Sequence, residues 1–310
     1  MGSTRGSARD QAARLPPAPG VYRFRDASGR VLYLGRATQL RSRVRSYWGD
    51  LGDRAHLAPM VARVARVEAV ACDSAHEAAW LERNLLQARK PPWNRAPDGG
   101  QESEVWVRLS DDARNPGLTV VYDKDERARS FGPYLGGRQV RLAVSGLCRV
   151  LPLNYAGGEL TGTGHDLARI KGVGPGDRAA LAARAAAVLS RDPAEVSALK
   201  TSLIERRDAA SAGLAFELAA RLQQEAEALD WVTAEQKVTR PGPADHDACG
   251  WSDGTLARFE IRAGRLAGWT LRSCGAAAAR RHLAATKPEW AAFAQRNAEL
   301  AARLSGLSEG

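Results

Sequence analysis

Residues 19–48 constrain this 310-residue chain more than any other stretch. They read P-G-V-Y-R-F-R-D-A-S-G-R-V-L-Y-L-G-R-A-T-Q-L-R-S-R-V-R-S-Y-W. Two apolar runs, 21–24 and 31–34, flank a polar turn ending in Ser28-Gly29, which predicts two strands joined by a glycine-containing loop. Gly35 breaks the second strand, and a helix follows from about Thr38, where Leu40 and Val44 fall one turn apart on a buried face. Arg41, Arg43 and Arg45 share that helix, so its outer surface is strongly cationic.

The same unit continues for about fifty residues. Leu57, Val61, Val64 and Val67 have helical spacing, with Pro59 admissible in the first turn. Residues 67–72 predict a third strand. Residues 76–89 predict a helix capped by Ser74, with Glu77 completing a capping box and Trp80, Leu81, Leu85 and Ala88 as the buried stripe. Pro91 and Pro92 stop it, and the unit closes near Asn94.

Gly20-Val21-Tyr22 and Tyr33-Leu34-Gly35, followed by Arg41, resemble the signature of the GIY-YIG nucleases. Glu82-Arg83-Asn84-Leu85-Leu86 and Pro91-Pro92-Trp93-Asn94 extend the likeness to the N-terminal nuclease of UvrC, a component of the ABC excinuclease. The resemblance implies a small antiparallel sheet with flanking helices, an α/β fold. It makes Glu82 a ligand for Mg²⁺, with Mn²⁺ an admissible substitute, and Tyr33 the general base or water-orienting group beside Tyr22. Arg41 would grip the scissile phosphate, and Asn94 would hold the site together or contact phosphate. Arg36 stands where the family commonly has lysine. A phenol of ordinary pKa near 10 needs a cationic field to ionise, which Arg36 and Arg41 are expected to supply. Arg36, Arg41, Arg43 and Arg45 form the expected DNA-binding surface.

Charge points the same way. The chain carries a formal +10, and residues 1–50 hold ten arginines against three aspartates, a balance that favours a polyanionic partner. Cys72, Cys148, Cys249 and Cys274 are too widely spaced to predict a zinc site or an iron–sulfur cluster. No long apolar segment or signal peptide is evident, so a cytoplasmic protein with no membrane partner is expected. Residues 1–15 read as a mobile polar arm.

Beyond Asn94, residues 97–104 read as a linker, 105–109 and 118–122 as strands, and Phe131-Gly132-Pro133-Tyr134 as a turn before a helix over 138–150. The related proteins usually carry a cysteine cluster next, but residues 153–166 contain no cysteine. Gly172-Val173-Gly174-Pro175-Gly176 reads as a turn and helix start in preference to a DNA-binding helical hairpin. Residues 195–229 predict two helices broken near 211–213. There A-G-L-A-F-E-L-A-A-R-L resembles the UVR motif, which implies docking on a UvrB-like helicase of the same excinuclease through Leu214, Phe216, Leu218 and Leu222. Residues 258–261 and 266–271 predict a strand hairpin, similar to the opening of an RNase H-like domain, with Asp247 and Asp253 as loop acids without partners. Residues 276–305 predict terminal helices bearing Trp290 and Phe293.

The expected division is therefore an arm (1–15), a nuclease domain (16–96), a mixed α/β accessory region (97–192), a UVR-like helical hairpin (193–231) and a truncated strand hairpin with helices (232–310). The second nuclease and the helix-hairpin-helix domains of the resembled family are expected to be missing. The implied activity is incision of one strand, on the 3′ side of a bulky or alkylated lesion in double-stranded DNA, during nucleotide excision repair. Two alternatives stay open: a non-cleaving adaptor for the helicase, and a structure-specific nuclease that needs no partner.

Overall fold

The computed structural model describes residues 7–94, 103–125, 127–240 and 242–306. The arm's first six residues and the linker residues 97–102 lie outside them. The chain forms two compact units: one joins the N-terminal hundred residues to those from Glu235 onward, and the other comprises the residues between.

The first unit opens with a helix where an arm was expected. Helix α1 (Ala8–Ala13) is nucleated by a capping box in which Ser7 Oγ accepts from Asp10 N and Asp10 returns the bond. Ala12 and Leu15 are fully buried, and Gln11 Oε1 accepts from Val67 N at 2.7 Å. Strands β1 (Gly20–Arg25) and β2 (Val31–Ala37) form the expected hairpin, and β3 (Arg66–Ala71) joins the other edge of β1 to give the antiparallel order β2-β1-β3. Helix α2 (Leu40–Arg45) buries Leu40 and Val44 as anticipated.

The helix expected over 57–67 shrinks to the single turn α3 (Ala58–Val61) after a 3₁₀ segment. Register explains this: Arg66 pairs with Arg25, and Ala65 N already donates to Arg25 O, so the chain must turn before the strand begins. Helix α4 (Ala75–Ala88) covers one face of the sheet. Ser74 caps it, and Glu77 accepts from Asp73 N and from Lys237 N.

The second unit packs β4 (Glu104–Ser110), β5 (Gly117–Val121) and β6 (Arg129–Leu135), in the order β5-β4-β6, with helices α5 (Gly137–Val150), α6 (Thr163–Lys171), α7 (Arg178–Leu189), α8 (Pro193–Ala212) and α9 (Phe216–Thr233). The Phe131–Tyr134 element is thus a strand, and its proline is tolerated because β6 is an edge. Helices α8 and α9 form the expected hairpin. Glu225 of α9 is fully buried and held by Arg149, Ser145 and Arg221.

The chain then returns to the first unit. Strands β7 (His246–Ser252), β8 (Thr255–Arg262) and β9 (Arg265–Ser273) form a three-stranded meander, followed by helices α10 (Ala276–Ala284) and α11 (Pro288–Ser305). Asp247 sits in β7 and not in a loop, and Arg258 and Arg262 both pair with it. Helix α11 closes on β7, where Gly250 has no room for a side chain against the Ala294 carbonyl. It also reaches β3: Asn297 Oδ1 accepts from Ala71 N at 2.7 Å, and its amide donates to Ala71 O at 3.1 Å. Leu300 and Leu304 join the same core as Tyr22 and Phe24.

Candidate active site

Strand alternation puts Tyr22 and Phe24 on one face of β1, and Tyr33 of β2 projects to the same side. The 3₁₀ turn after α2 (Ser46–Trp48) adds Tyr47. The Tyr22 and Tyr47 hydroxyls lie 2.8 Å apart, and the Tyr33 ring centroid is 6.3 Å from Tyr22 and 6.0 Å from Tyr47. Gly35 makes this approach possible, since a β-carbon there would fall 2.7 Å from Tyr22 Oη and 2.9 Å from the Tyr33 ring.

Glu82 comes to the site from α4. It is 8% exposed, accepts from Arg36 N at 3.1 Å and faces Arg36 Nε at 3.4 Å. Burial pushes its pKa up, against the opposing charge and backbone N–H of Arg36. Asn94 spends both ends of its amide on β2, accepting from Leu34 N at 3.0 Å and donating to Leu34 O at 2.7 Å. These two bonds fix the strand between Tyr33 and Gly35.

Two expectations change here. The tyrosines are not depressed by a cationic field: burial drives Tyr22 and Tyr33 well above 10, and Tyr47 adds to the shift in both. Both phenols are neutral at physiological pH, which suits water orientation better than proton abstraction. The cation opposing the shift is Arg43, whose guanidinium carbon lies 5.8 Å from the centre of the Tyr47 ring. Arg41 instead donates its Nε to the Leu15 carbonyl at 2.6 Å, and Arg36 is turned to Glu82. Arg45 is exposed on α2. Sequence reading missed Tyr47, although its spacing of four from Arg43 on a basic helix was a usable signal.

The donor set suits a hydrated hard cation. Among the described residues no three His, Cys, Asp or Glu side chains gather closely enough to cage a metal. Mg²⁺, however, accepts one or two carboxylates and keeps several waters. Glu82 offers one partly desolvated carboxylate beside an exposed arginine that can move aside, so the residues present fit the ion.

The four residues expected to dock a partner divide. Leu214, Phe216 and Leu218 are 73%, 63% and 44% exposed at the tip of the α8–α9 hairpin. Leu222 is only 2% exposed and belongs to the second unit's core. It lies one turn further into α9, beyond the exposed tip, and is not a docking residue.

Comparison with known proteins places these features. Residues 18–95 match the family model for the UvrC-like GIY-YIG domain. The chain is 32% identical over 286 residues to the UvrABC system protein C of Synechococcus elongatus, covering 82% of this chain and 42% of that protein. It is 32% identical over 276 residues to the UvrABC system protein C of Geobacter metallireducens, covering 82% and 43%. The chain thus spans less than half the length of these curated relatives. Among solved structures, the magnesium-bound GIY-YIG N-terminal endonuclease domain of UvrC from Thermotoga maritima is 28% identical, with 28% of this chain and 94% of that one covered and a TM-score of 0.26. Residues 18–95 thus match the UvrC-like GIY-YIG domain, and the chain is similar to the UvrABC system protein C over 82% of its own length.

Proposed function

We propose that this protein is a metal-dependent DNA endonuclease that incises one strand at damaged DNA in excision repair. One observation carries the reading: Tyr22, Tyr33 and Tyr47 converge beside Glu82 and Arg43 around a glycine that admits no side chain. Phosphodiester hydrolysis needs an oriented water and stabilisation of the charge that develops on the phosphoryl and leaving oxygens. Bound at Glu82, Mg²⁺ would supply Lewis-acid polarisation of the phosphate. Tyr33, as a neutral phenol, donates or accepts a hydrogen bond that orients the attacking water, and the Tyr22–Tyr47 pair keeps its ring in place. Arg43 brings a guanidinium fork to the phosphate, a role its placement supports better than that of Arg41. The remaining arginines of α2 provide sequence-independent attraction to the backbone.

Similarity to the UvrABC system protein C, together with the exposed Leu214, Phe216 and Leu218, supports a partner in the same repair system, a UvrB-like helicase, docked at the α8–α9 tip. Incision on the 3′ side of a bulky or alkylated lesion is the corresponding proposal for substrate and position. The deciding experiment is strand-resolved cleavage of a duplex carrying one bulky adduct, with Mg²⁺, with and without the helicase. Glu82→Gln is expected to lower nicking by about a hundredfold or more while keeping the acceptor for Arg36 N. Uncut DNA under conditions where the helicase loads would favour the non-cleaving adaptor. Nicking that needs no helicase would favour an independent nuclease.

A further inference from the structure

On the face of the nuclease sheet opposite the tyrosines, a cavity of about 610 Å³ lies between the β1–β2 hairpin, the end of α4 and strand β9. Its size falls in the range that encloses a small organic ligand, and it is too large for an inorganic ion alone. One part of the wall is apolar and aromatic, from Leu34, Leu85 and Trp269. The polar part is mainly cationic, with five arginine and lysine side chains against the single carboxylate of Glu260 among the described lining residues.

The positive charge exceeds what the protein neutralises. Among the described residues Glu68 alone serves Arg23, Arg25 and Arg66, at 2.5, 2.9 and 3.3 Å. Arg23 is 8% exposed, stacks over Trp269 at 3.7 Å and donates to its carbonyl. Burial lowers the Arg23 pKa to about 10 despite the Glu68 charge, as expected where guanidiniums crowd one carboxylate. Arg30 and Arg89 line the same cavity and make no ion pair among the described residues. Trp269 is 2% exposed, and its indole N–H has no hydrogen-bond partner among the described residues. A buried donor left unpaired is costly. Here it accompanies an uncompensated cationic wall.

We infer that this cavity is a nucleotide-binding site, distinct from the cleavage site, that takes a flat heteroaromatic base against its apolar wall and the phosphate against Arg25, Arg30 and Arg89. A ligand with both an apolar ring and an anion matches the two halves of the lining. Glu260 offers the only carboxylate among the described lining residues and can accept from an exocyclic amino group. The same chemistry is presented by a free nucleotide and by the 5′-phosphorylated end of a DNA strand. The inference does not depend on the nuclease reading.

Isothermal titration calorimetry with dAMP in EDTA, which keeps the Glu82 site idle, tests this directly. Wild type is expected to bind saturably, with affinity that falls as salt rises. The double variant Arg30→Glu/Arg89→Glu should weaken binding about tenfold or more. Gly268→Val should abolish it by filling the cavity. A β-carbon at Gly268 meets only Glu260 Oε2, at an ordinary 3.6 Å, and valine suits a strand. Retained circular dichroism and thermal midpoint establish that each variant folds. Competition by a 5′-phosphorylated hexanucleotide, but not by its 5′-hydroxyl counterpart, would assign the site to a strand end; indifference to both would assign it to a free nucleotide. Absence of saturable dAMP binding by wild type, or binding unchanged in the folded variants, would overturn the inference.

Discussion

Burial drives Glu82 and Tyr22 towards their neutral forms, with different consequences for each. For Glu82 a bound cation would reverse the effect, because the ion restores what desolvation removed. For Tyr22 the charge of Arg43 opposes the shift, and burial prevails. A folded-state pKa raised above the unfolded value means that the unfolded chain releases its proton first as pH climbs. The Tyr22 contribution to stability is therefore intact below about pH 10 and is lost as pH rises through the folded value. Denaturant midpoints between pH 8 and 11 are expected to fall at the alkaline end, and Tyr22→Phe should flatten that fall. A wild-type midpoint that stays constant to pH 11 would contradict the assignment.

At the scale of elements, the α8–α9 hairpin separates two roles along one helix. Phe216→Ser, at the exposed tip, is expected to leave the thermal midpoint unchanged while reducing helicase capture in a pull-down. Leu222→Ala, one to two turns along, should destabilise the second unit by about 2–4 kcal/mol in chemical denaturation. Glu225 adds a pH dependence there. Burial alone would raise its pKa, but the bonds from Arg149, Ser145 and Arg221 outweigh it and lower the value. The stabilisation is present above the ordinary glutamate pKa of about 4.3 and is lost as pH falls through the depressed folded value. Glu225→Gln should remove this acid-dependent part of the unfolding curve.

These elements also mark what sequence reading could reach. The β1–β2 hairpin and α4 were legible because alternation, a glycine turn and a Ser74 cap are local signals. Strand β6 was hidden by Phe-Gly-Pro, a turn signature everywhere except on a sheet edge. Helix α1 was hidden because its burial depends on Val67, more than fifty residues away. Arg41 and Arg43 could not be ranked by spacing alone. Tertiary placement sends one to the Leu15 carbonyl and the other to the tyrosines.

At the scale of the molecule, the first unit is discontinuous in sequence, and residues 16–96 do not make a complete core. Asn297 satisfies both backbone groups of Ala71, and Leu300 and Leu304 fill the tyrosine-side core. Asn297→Ala is expected to cost about 1–3 kcal/mol in the unfolding of this unit. An unchanged denaturant midpoint would show that the α11 clamp is dispensable.

The clamp also has a temporal side. Ala71 and Asn297 are 226 residues apart, and at synthesis rates of about 5–20 residues per second that separation corresponds to about 10–45 s. Throughout that interval a nascent chain holds Tyr22, Tyr33 and Tyr47 without the α11 residues that share their core. The first unit therefore lacks part of its core until α11 has been made, so a translation product aborted before that helix is expected to be less stable there.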